Sequence, residues 1–312
     1  MPKSWRKIAV ALGLAVSPVA LSAQAQQSPA PAPAEAPATA TATVDADPAL
    51  WVLRDDDTTI YLFGTIHVLK PGLSWFDEGV RKAFDDSDEV VLEMVTPEPQ
   101  AMQALIQRLA ITNGGPTLPE RLAPDKRAAY LAALGEMGLP ANVFDRTDPW
   151  FASTNLSILP LIKLGYDPAQ GAEAQITAAA KSARKPVSGL ETAEQQLGYF
   201  ESLPDTAQIK LLNSTVAELP RIQPMIETMV DAWAKGQPDR LATVMNDGLT
   251  DVPEVAQVLL ADRNTRWAEW IDTRLDKPGT VFMAVGAGHL AGHDSVMAKL
   301  ADRKLRAVRV PY

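Results

Sequence analysis

Short runs of β-branched and aromatic residues predict strands near both ends of the chain. Such runs, bounded by turn-forming residues, are typical of strands. They occur at 51–53, 58–63, 89–92 and 280–285, with less regular runs at 186–190 and 305–310. Residues 54–57 have the composition of a turn, so the first two runs are predicted to form a hairpin.

The middle of the chain has helical spacing instead. Apolar residues recur every three to four positions over most of 97–183 and again over 206–274, with interruptions at Pro and Gly. One example is the stripe within 225–233, which we interpret as core packing and not as a Met-rich binding groove. Because several strands are followed by helical segments, we predict an α/β (α+β) fold: a mixed central sheet flanked by helices, with a largely helical middle region.

The first residues have the pattern of an export signal. Lys3, Arg6 and Lys7 precede an apolar run over 8–21, and 23–25 reads Ala-Gln-Ala. This order is typical of a secretory signal peptide, here predicted as 1–25. The apolar run is shorter than the roughly 20 residues that span a bilayer. We therefore expect no stable membrane span after signal cleavage.

The next segment is predicted to be a disordered tether. Residues 26–47 are mostly Ala, Pro, Thr and Ser and have too few large apolar side chains to form a core. The folded domain is then predicted to cover 48–312. With a cleaved signal peptide ahead of it, this domain is expected in the periplasm or outside the cell.

Composition narrows the chemistry that the domain can carry out. Acidic residues outnumber Lys and Arg by 38 to 29, which gives a formal net charge of −9. A chain without excess positive charge is not expected to bind nucleic acid. There is no cysteine, so disulfides, thiolate metal sites and a cysteine nucleophile are excluded. A metal ion would have to be bound by His, Asp and Glu.

The histidines follow predicted strands. His67 and His289 each complete a Gly-x-x-His motif that begins at Gly64 or Gly286, directly after a strand-like run. Glycine at a strand end permits a sharp turn or close approach to a ligand. In sheets with helical crossovers, ligand sites collect beyond the carboxyl ends of the strands. The remaining histidine, His293, lies four residues after His289 but in a glycine-containing stretch that does not favour a helix.

Two glutamates occupy equivalent positions at the ends of other predicted strands. Glu93 follows the run at 89–92, and Glu191 follows the run at 186–190. Together with His67 and His289 they form a set of two imidazoles and two carboxylates. Such a set suits Mn²⁺, Co²⁺ or Zn²⁺, and it equally suits a metal-free general acid and base. The residues alone leave both open.

The predicted helix over 253–274 adds two charges. At 100° per residue, Asp262 and Arg266 fall on the line of its buried apolar residues. We predict that this pair faces inward and reaches the site, where Arg266 would contact substrate. A partly exposed salt bridge is the alternative.

These motifs together resemble the TraB/GumN family, which includes the TIKI metalloproteases. The matching segments are 64–67 and 286–289 for the two Gly-x-x-His motifs, Glu93 for the early glutamate, Arg263-Asn264, Gly-Leu-Glu-Thr at 189–192 and Gly-Ala-Glu at 171–173. The matches span most of the predicted domain.

The resemblance implies a divalent-metal-dependent peptidase on a scaffold similar to erythromycin esterase and ChaN-like proteins. It implies that the metal, Mn, Co or Zn, is bound by the two motif histidines and the two strand-end glutamates. Arg263 and Asn264 are then expected to be catalytic, with Gly64, Gly286 and Arg266 near the substrate.

The expected function is thus an exported hydrolase of a peptide or small-molecule substrate. Two alternatives stay open: a metal-free esterase-like hydrolase, and a non-catalytic envelope protein that binds a peptide or glycan.

Overall fold

The computed structural model of the protein describes residues 43–246 and 252–312. The predicted signal peptide and most of the predicted tether lie outside these residues. Over the described ranges, every helix is too short or too polar to cross a bilayer.

The fold is mixed α/β, as predicted, and is built on a six-stranded sheet. Its strands are β2 (Leu50–Arg54), β3 (Thr58–Thr65), β5 (Glu89–Met94), β6 (Val187–Glu191), β7 (Gly279–Gly286) and β8 (Val308–Arg309). Their spatial order is β6-β5-β7-β3-β2-β8. The first four of this order are mutually parallel, and β2 runs antiparallel to both β3 and β8. All six predicted strands are confirmed, including the hairpin of β2 and β3.

Helices cover both faces of this sheet and fill the middle of the chain. They are α1 (Glu78–Asp86), α2 (Pro99–Leu109), α3 (Leu118–Arg121), α4 (Pro124–Glu136), α5 (Pro149–Lys163), α6 (Ala172–Ala183), α7 (Ala193–Glu201), α8 (Asp205–Glu218), α9 (Ile222–Ala234), α10 (Pro238–Asn246), α11 (Pro253–Ala256), α12 (Asp262–Arg274) and α13 (Val296–Asp302). Single turns of 3₁₀ helix lie at Pro168–Gln170, Leu219–Arg221 and Ala287–Leu290. Met229 and Trp233 of α9 are buried in the core, as the apolar stripe predicts.

Residues 44–46, within the predicted tether, are part of the fold. A second sheet pairs β1 (Val44–Asp45) in parallel with β4 (Leu73–Ser74). Ala46 is buried, and its N–H donates to the Ser74 carbonyl at 2.9 Å. The tether prediction is therefore wrong at its C-terminal end, because backbone pairing orders a segment whose side chains carry no apolar pattern.

Alternating side chains of the central strands enter two different cores. Tyr61 and Phe63 of β3 pack on the face covered by α1, α6 and α9. Ile60 and Leu62 pack on the face covered by α12 and α13. Because both faces are covered, the central strands are apolar at nearly every position. A third core lies in the helical middle region, among α2, α4, α5, α7 and α8.

The predicted helix over 253–274 contains an irregularity that changes which residues face inward. Between α11 and α12 the chain forms one turn of π-helix at Gln257–Ala261. A π turn adds a residue to the helical repeat and so rotates all later side chains. Arg263 and Trp267 are buried, whereas Arg266 is exposed and Asp262 is half-buried. The prediction that the last two face inward is therefore wrong.

Candidate functional site

The parallel strands end at one edge of the sheet and bring distant segments together. Thr65 at the end of β3 pairs with Gly286 at the end of β7, and Met94 of β5 pairs with Glu191 of β6. The residues beyond or at these ends therefore lie along the same edge, as the sequence predicts.

Arg263 lies at the centre of this edge, between the two predicted glutamates. Its Nη2 is 2.6 Å from Glu93 Oε2 and 2.8 Å from Glu191 Oε2, and its Nε donates to Glu191 at 3.0 Å. The Arg263 side chain is only 1% exposed. Burial opposes its charge, but the two carboxylates outweigh that effect and raise its pKa. The guanidinium is therefore a permanent buried positive charge.

The carboxylates have further donors. Gln196 Nε2 donates to Glu93 at 3.2 Å and to Glu191 at 3.1 Å. Glu191 also accepts from Trp267 Nε1 at 3.1 Å and from Tyr199 Oη at 3.3 Å. Hydrogen bonds of this kind fix the rotamers of both glutamates and offset the cost of burying them.

His289 is held from two sides within the same cluster. Its Nδ1 lies 2.6 Å from Asn264 Oδ1, and its Nε2 lies 3.2 Å from Arg263 Nη1. Since the amide oxygen only accepts and the guanidinium only donates, His289 carries its proton on Nδ1 and accepts at Nε2. Burial, and then the charges of Arg263 and His67, hold the pKa of His289 well below its usual 6.5. This imidazole is neutral at neutral pH.

His67 is oriented by a carboxylate. Its Nδ1 lies 2.6 Å from Glu173 Oε1, and the Thr65 hydroxyl donates to the same oxygen. Burial acts to raise the pKa of Glu173, but His67 and Thr65 together lower it below the usual value. With its Nδ1 engaged by Glu173, His67 presents Nε2 toward the end of β7.

Gly286 separates the two imidazoles because it has no side chain. A Cβ at this position would lie 2.9 Å from Glu93 Oε1, 3.6 Å from His67 Nε2 and 3.6 Å from the His289 ring. The Gly286 N–H also donates to Glu93 Oε1 at 2.6 Å. This glycine therefore preserves the space between the histidines and fixes the carboxylate beside it.

The donor set does not fit a metal ion on all four predicted ligands. In the part of the chain that the structure describes, no group of three His, Asp or Glu side chains is arranged to hold one ion. Both oxygens of Glu191 already accept from N–H or O–H donors of Arg263, Gln196, Tyr199 and Trp267. Metal binding by this chain stays a prediction.

Most of the predicted site residues meet at this edge. Glu93, Glu191, Arg263, Asn264 and His289 form one hydrogen-bonded cluster, and the His67 ring lies next to it at Gly286.

Three other candidates lie outside this cluster. Gly64 packs on the 3₁₀ turn, where a Cβ would come within 3.1 Å of Ala287. Arg266 lies over the Tyr199 ring at 5.1 Å, on the exposed side of α12. The His293 side chain is 88% exposed, and its Nε2 lies 3.0 Å from Asp294 Oδ2.

Several residues that complete the site are not predicted as members of it by the sequence analysis. Glu173 lies in the Gly-Ala-Glu segment, but nothing in that segment indicates that it contacts His67. Gln196 and Tyr199 lie on α7, five and eight residues after Glu191. Because this helix begins directly after a strand-end glutamate, the spacing could have been used to predict that both side chains contact that carboxylate.

The fold and site define a class: α/β proteins with a buried polar cluster beyond the carboxyl ends of a parallel sheet. The model of the TraB/PrgY/gumN family matches residues 49–309, and the chain belongs to this family.

Curated relatives carry no assigned activity. The chain is 24% identical over 253 residues to "Uncharacterized protein YbaP" of Escherichia coli (strain K12), covering 80% of this chain and 90% of that protein. The same identity and coverage hold for "Uncharacterized protein YbaP" of Shigella flexneri. No solved structure matches the chain.

Proposed function

We propose that the chain is a hydrolase of peptide or ester bonds in which His67 is the general base. The observation that carries this proposal is the pair of imidazoles at Gly286, each with its Nδ1 engaged by an acceptor. A histidine whose Nδ1–H is held by a carboxylate is a stronger base at Nε2 and is fixed in one tautomer. His67 has such a partner in Glu173, at 2.6 Å.

Attack by water would proceed without a covalent enzyme intermediate. His67 Nε2 takes a proton from water as the water oxygen bonds to the carbonyl carbon and the carbonyl π electrons move to oxygen. The carbonyl then re-forms, the bond to the leaving nitrogen or oxygen breaks, and the proton on His67 passes to the leaving group. The products are a carboxylic acid and an amine or alcohol.

Arg263 supports this step through its charge. In the proposed step the fixed positive charge of Arg263 stabilises negative charge developing on the carbonyl oxygen. The two glutamates orient the guanidinium, and neutral His289 accepts from it at 3.2 Å. Because the pKa of His289 is depressed, this residue does not compete with His67 for the proton.

The test is turnover of a fluorogenic peptide library and of p-nitrophenyl esters by the purified chain without the predicted signal peptide, residues 26–312. We expect activity that survives EDTA, is lost in His67→Ala and is retained in Lys126→Ala. The second variant is a surface control because the Lys126 side chain is 52% exposed and pairs with Asp125, outside the cluster. Circular dichroism checks that both variants are folded.

Two outcomes would contradict the proposal. Activity that appears only with added Mn²⁺, Co²⁺ or Zn²⁺, together with near-stoichiometric bound metal, would favour the metal-dependent peptidase. Saturable peptide binding without turnover, unchanged in His67→Ala, would favour an envelope binding protein.

A further inference from the structure

A pocket of about 340 Å³ adjoins the hydrogen-bonded cluster at Asn264. One wall is formed by α11 and the π turn, and the other by the chain between Gly288 and Ser295. Asn264 belongs to this lining and is also the residue that accepts from His289 Nδ1 at 2.6 Å. An occupant of the pocket would therefore contact a residue that orients a catalytic-site imidazole.

The lining indicates what kind of group would fit. Its apolar part consists of small or aliphatic residues: Pro253, Ala256, Leu260, Ala261, Gly288 and Ala291. The polar members of the described lining are Gln257, Asn264, His293, Asp294 and Ser295. They include no Phe, Tyr or Trp ring and no Lys or Arg, and the one imidazole, that of His293, is 88% exposed at the rim.

Asp294 is the acidic member of the described lining, and it already has partners. Its carboxylate contacts His293 at 3.0 Å and Lys299 at 3.2 Å. A pocket near the lower end of the roughly 300 to 1,000 Å³ range of ligand sites suits a group of amino-acid size.

We propose that this pocket binds a neutral aliphatic group, the size of a leucine side chain with its flanking amides. The binding claim stands on the cavity and its lining alone; its meaning for turnover rests on the proposed hydrolase function. The group could belong to the substrate or to a separate small molecule. In both cases it would bind against Asn264 and the π turn that precedes Arg263.

Binding is measured by NMR with N-acetyl-leucine N-methylamide as the probe. The protein is the chain without its predicted signal peptide, residues 26–312, with ¹³C-labelled alanine methyl groups. The methyl signals of Ala256, Ala261 and Ala291 are expected to shift saturably. The matching aspartate derivative and N-acetylglucosamine are expected to bind at least roughly tenfold more weakly. His67→Ala should bind the probe as well as the parent chain, so failure of catalysis and failure of binding are separable.

Two variants test the location. Ala256→Leu narrows the pocket, and Gln257→Trp covers its rim from an exposed position. Each is expected to weaken probe binding roughly tenfold or more, whereas Ala179→Leu, on a half-buried position of α6, leaves it unchanged. Equal binding by folded Ala256→Leu and Gln257→Trp, or no saturable shift in the parent chain, would overturn the proposal.

Kinetics then separate the two sources of the group. With an active substrate in hand, a probe that raises KM alone marks the pocket as part of the substrate site. A probe that changes kcat at saturating substrate marks a separate effector, acting through Asn264. Both results require the binding described above.

Discussion

Glu173 is the residue whose replacement most directly tests the proposed chemistry. Glu173→Gln keeps the size of the side chain but removes the charge that orients His67. We expect kcat/KM to fall by roughly 100-fold, at the lower end of what general-base catalysis supplies. Because His67 loses its anionic partner, its protonated form is less stabilised, and the acid limb of the pH profile should move to lower pH.

The measurement is kcat/KM against pH, which separates loss of a base from loss of fold. Glu194→Gln is the control, because Glu194 is 58% exposed and pairs with Arg108 at the surface. An unchanged profile in folded Glu173→Gln would remove His67 from the mechanism.

The buried neutral His289 predicts a pH dependence of stability. Its pKa is depressed in the folded state, so below about pH 6.5 the unfolded chain binds a proton that the folded chain does not. Stability should therefore fall with decreasing pH, by up to about 1.4 kcal/mol per pH unit from this group. Urea unfolding between about pH 5 and pH 8 measures the slope.

A matched pair of variants assigns that slope to one residue. His289→Gln should flatten the dependence, while His293→Gln, at the exposed histidine, should not. A parent chain with constant stability over this pH range would contradict a neutral buried His289.

Some of the site residues could be predicted from the sequence and others could not. The two Gly-x-x-His motifs and the two glutamates could be predicted because each follows a strand-like run, and parallel strands end at one edge. Glu173 could not be placed, because its contact with His67 depends on how the start of α6 packs, which no local pattern encodes.

At the scale of elements, Gly171 tests how closely α6 must approach the chain around His67. A Cβ on this residue would overlap the His67 carbonyl oxygen, and backbone atoms cannot yield as a flexible side chain does. Gly171→Ala should destabilise the protein by about 1 to 3 kcal/mol, as overpacking does, and displace His67.

Gly198→Ala provides the matched control within α7. A Cβ there would meet no atom within 4 Å, so the substitution should stabilise the helix by about 0.5 to 1 kcal/mol. Urea unfolding of both variants measures the difference. Equal stabilities would show that α6 can move away from His67 without cost.

The helix between α11 and α12 shows why the sequence analysis predicted the wrong inward-facing residues. A constant 100° per residue places Asp262 and Arg266 on the buried line. The π turn before them inserts one residue, so Arg263 takes the inward position. In this register Arg263 is buried between Glu93 and Glu191.

At the scale of the whole molecule, Arg263 joins α12 to β5 and β6 through Glu93 and Glu191. Arg263→Met would leave two buried carboxylates facing each other without a counter-charge. Breaking a buried ion pair in this way costs about 3 to 5 kcal/mol. Thermal unfolding should show a correspondingly large fall in Tm.

The triple variant isolates the charge effect. Adding Glu93→Gln and Glu191→Gln to Arg263→Met removes both stranded charges, so part of the lost stability should return. No recovery would mean that packing by the guanidinium, and not its charge, stabilises this edge of the sheet.

The overall architecture was predictable only in outline. The alternation of strands and helices identifies the α/β class. The strand order β6-β5-β7-β3 was not predictable, because it depends on pairing between residues as distant as Thr65 and Gly286. The order of the cluster residues along this edge of the sheet follows from that pairing.

The unequal exposure of the three histidines has a consequence for covalent labelling. The exposed fractions of the side chains are 88% for His293, 10% for His67 and 2% for His289. An acylating reagent such as diethylpyrocarbonate should therefore modify them in that order. Modification of His289 requires a local opening that exposes its ring. Mass spectrometry of the modified His289 site therefore measures how often the cluster at this edge of the sheet opens to solvent.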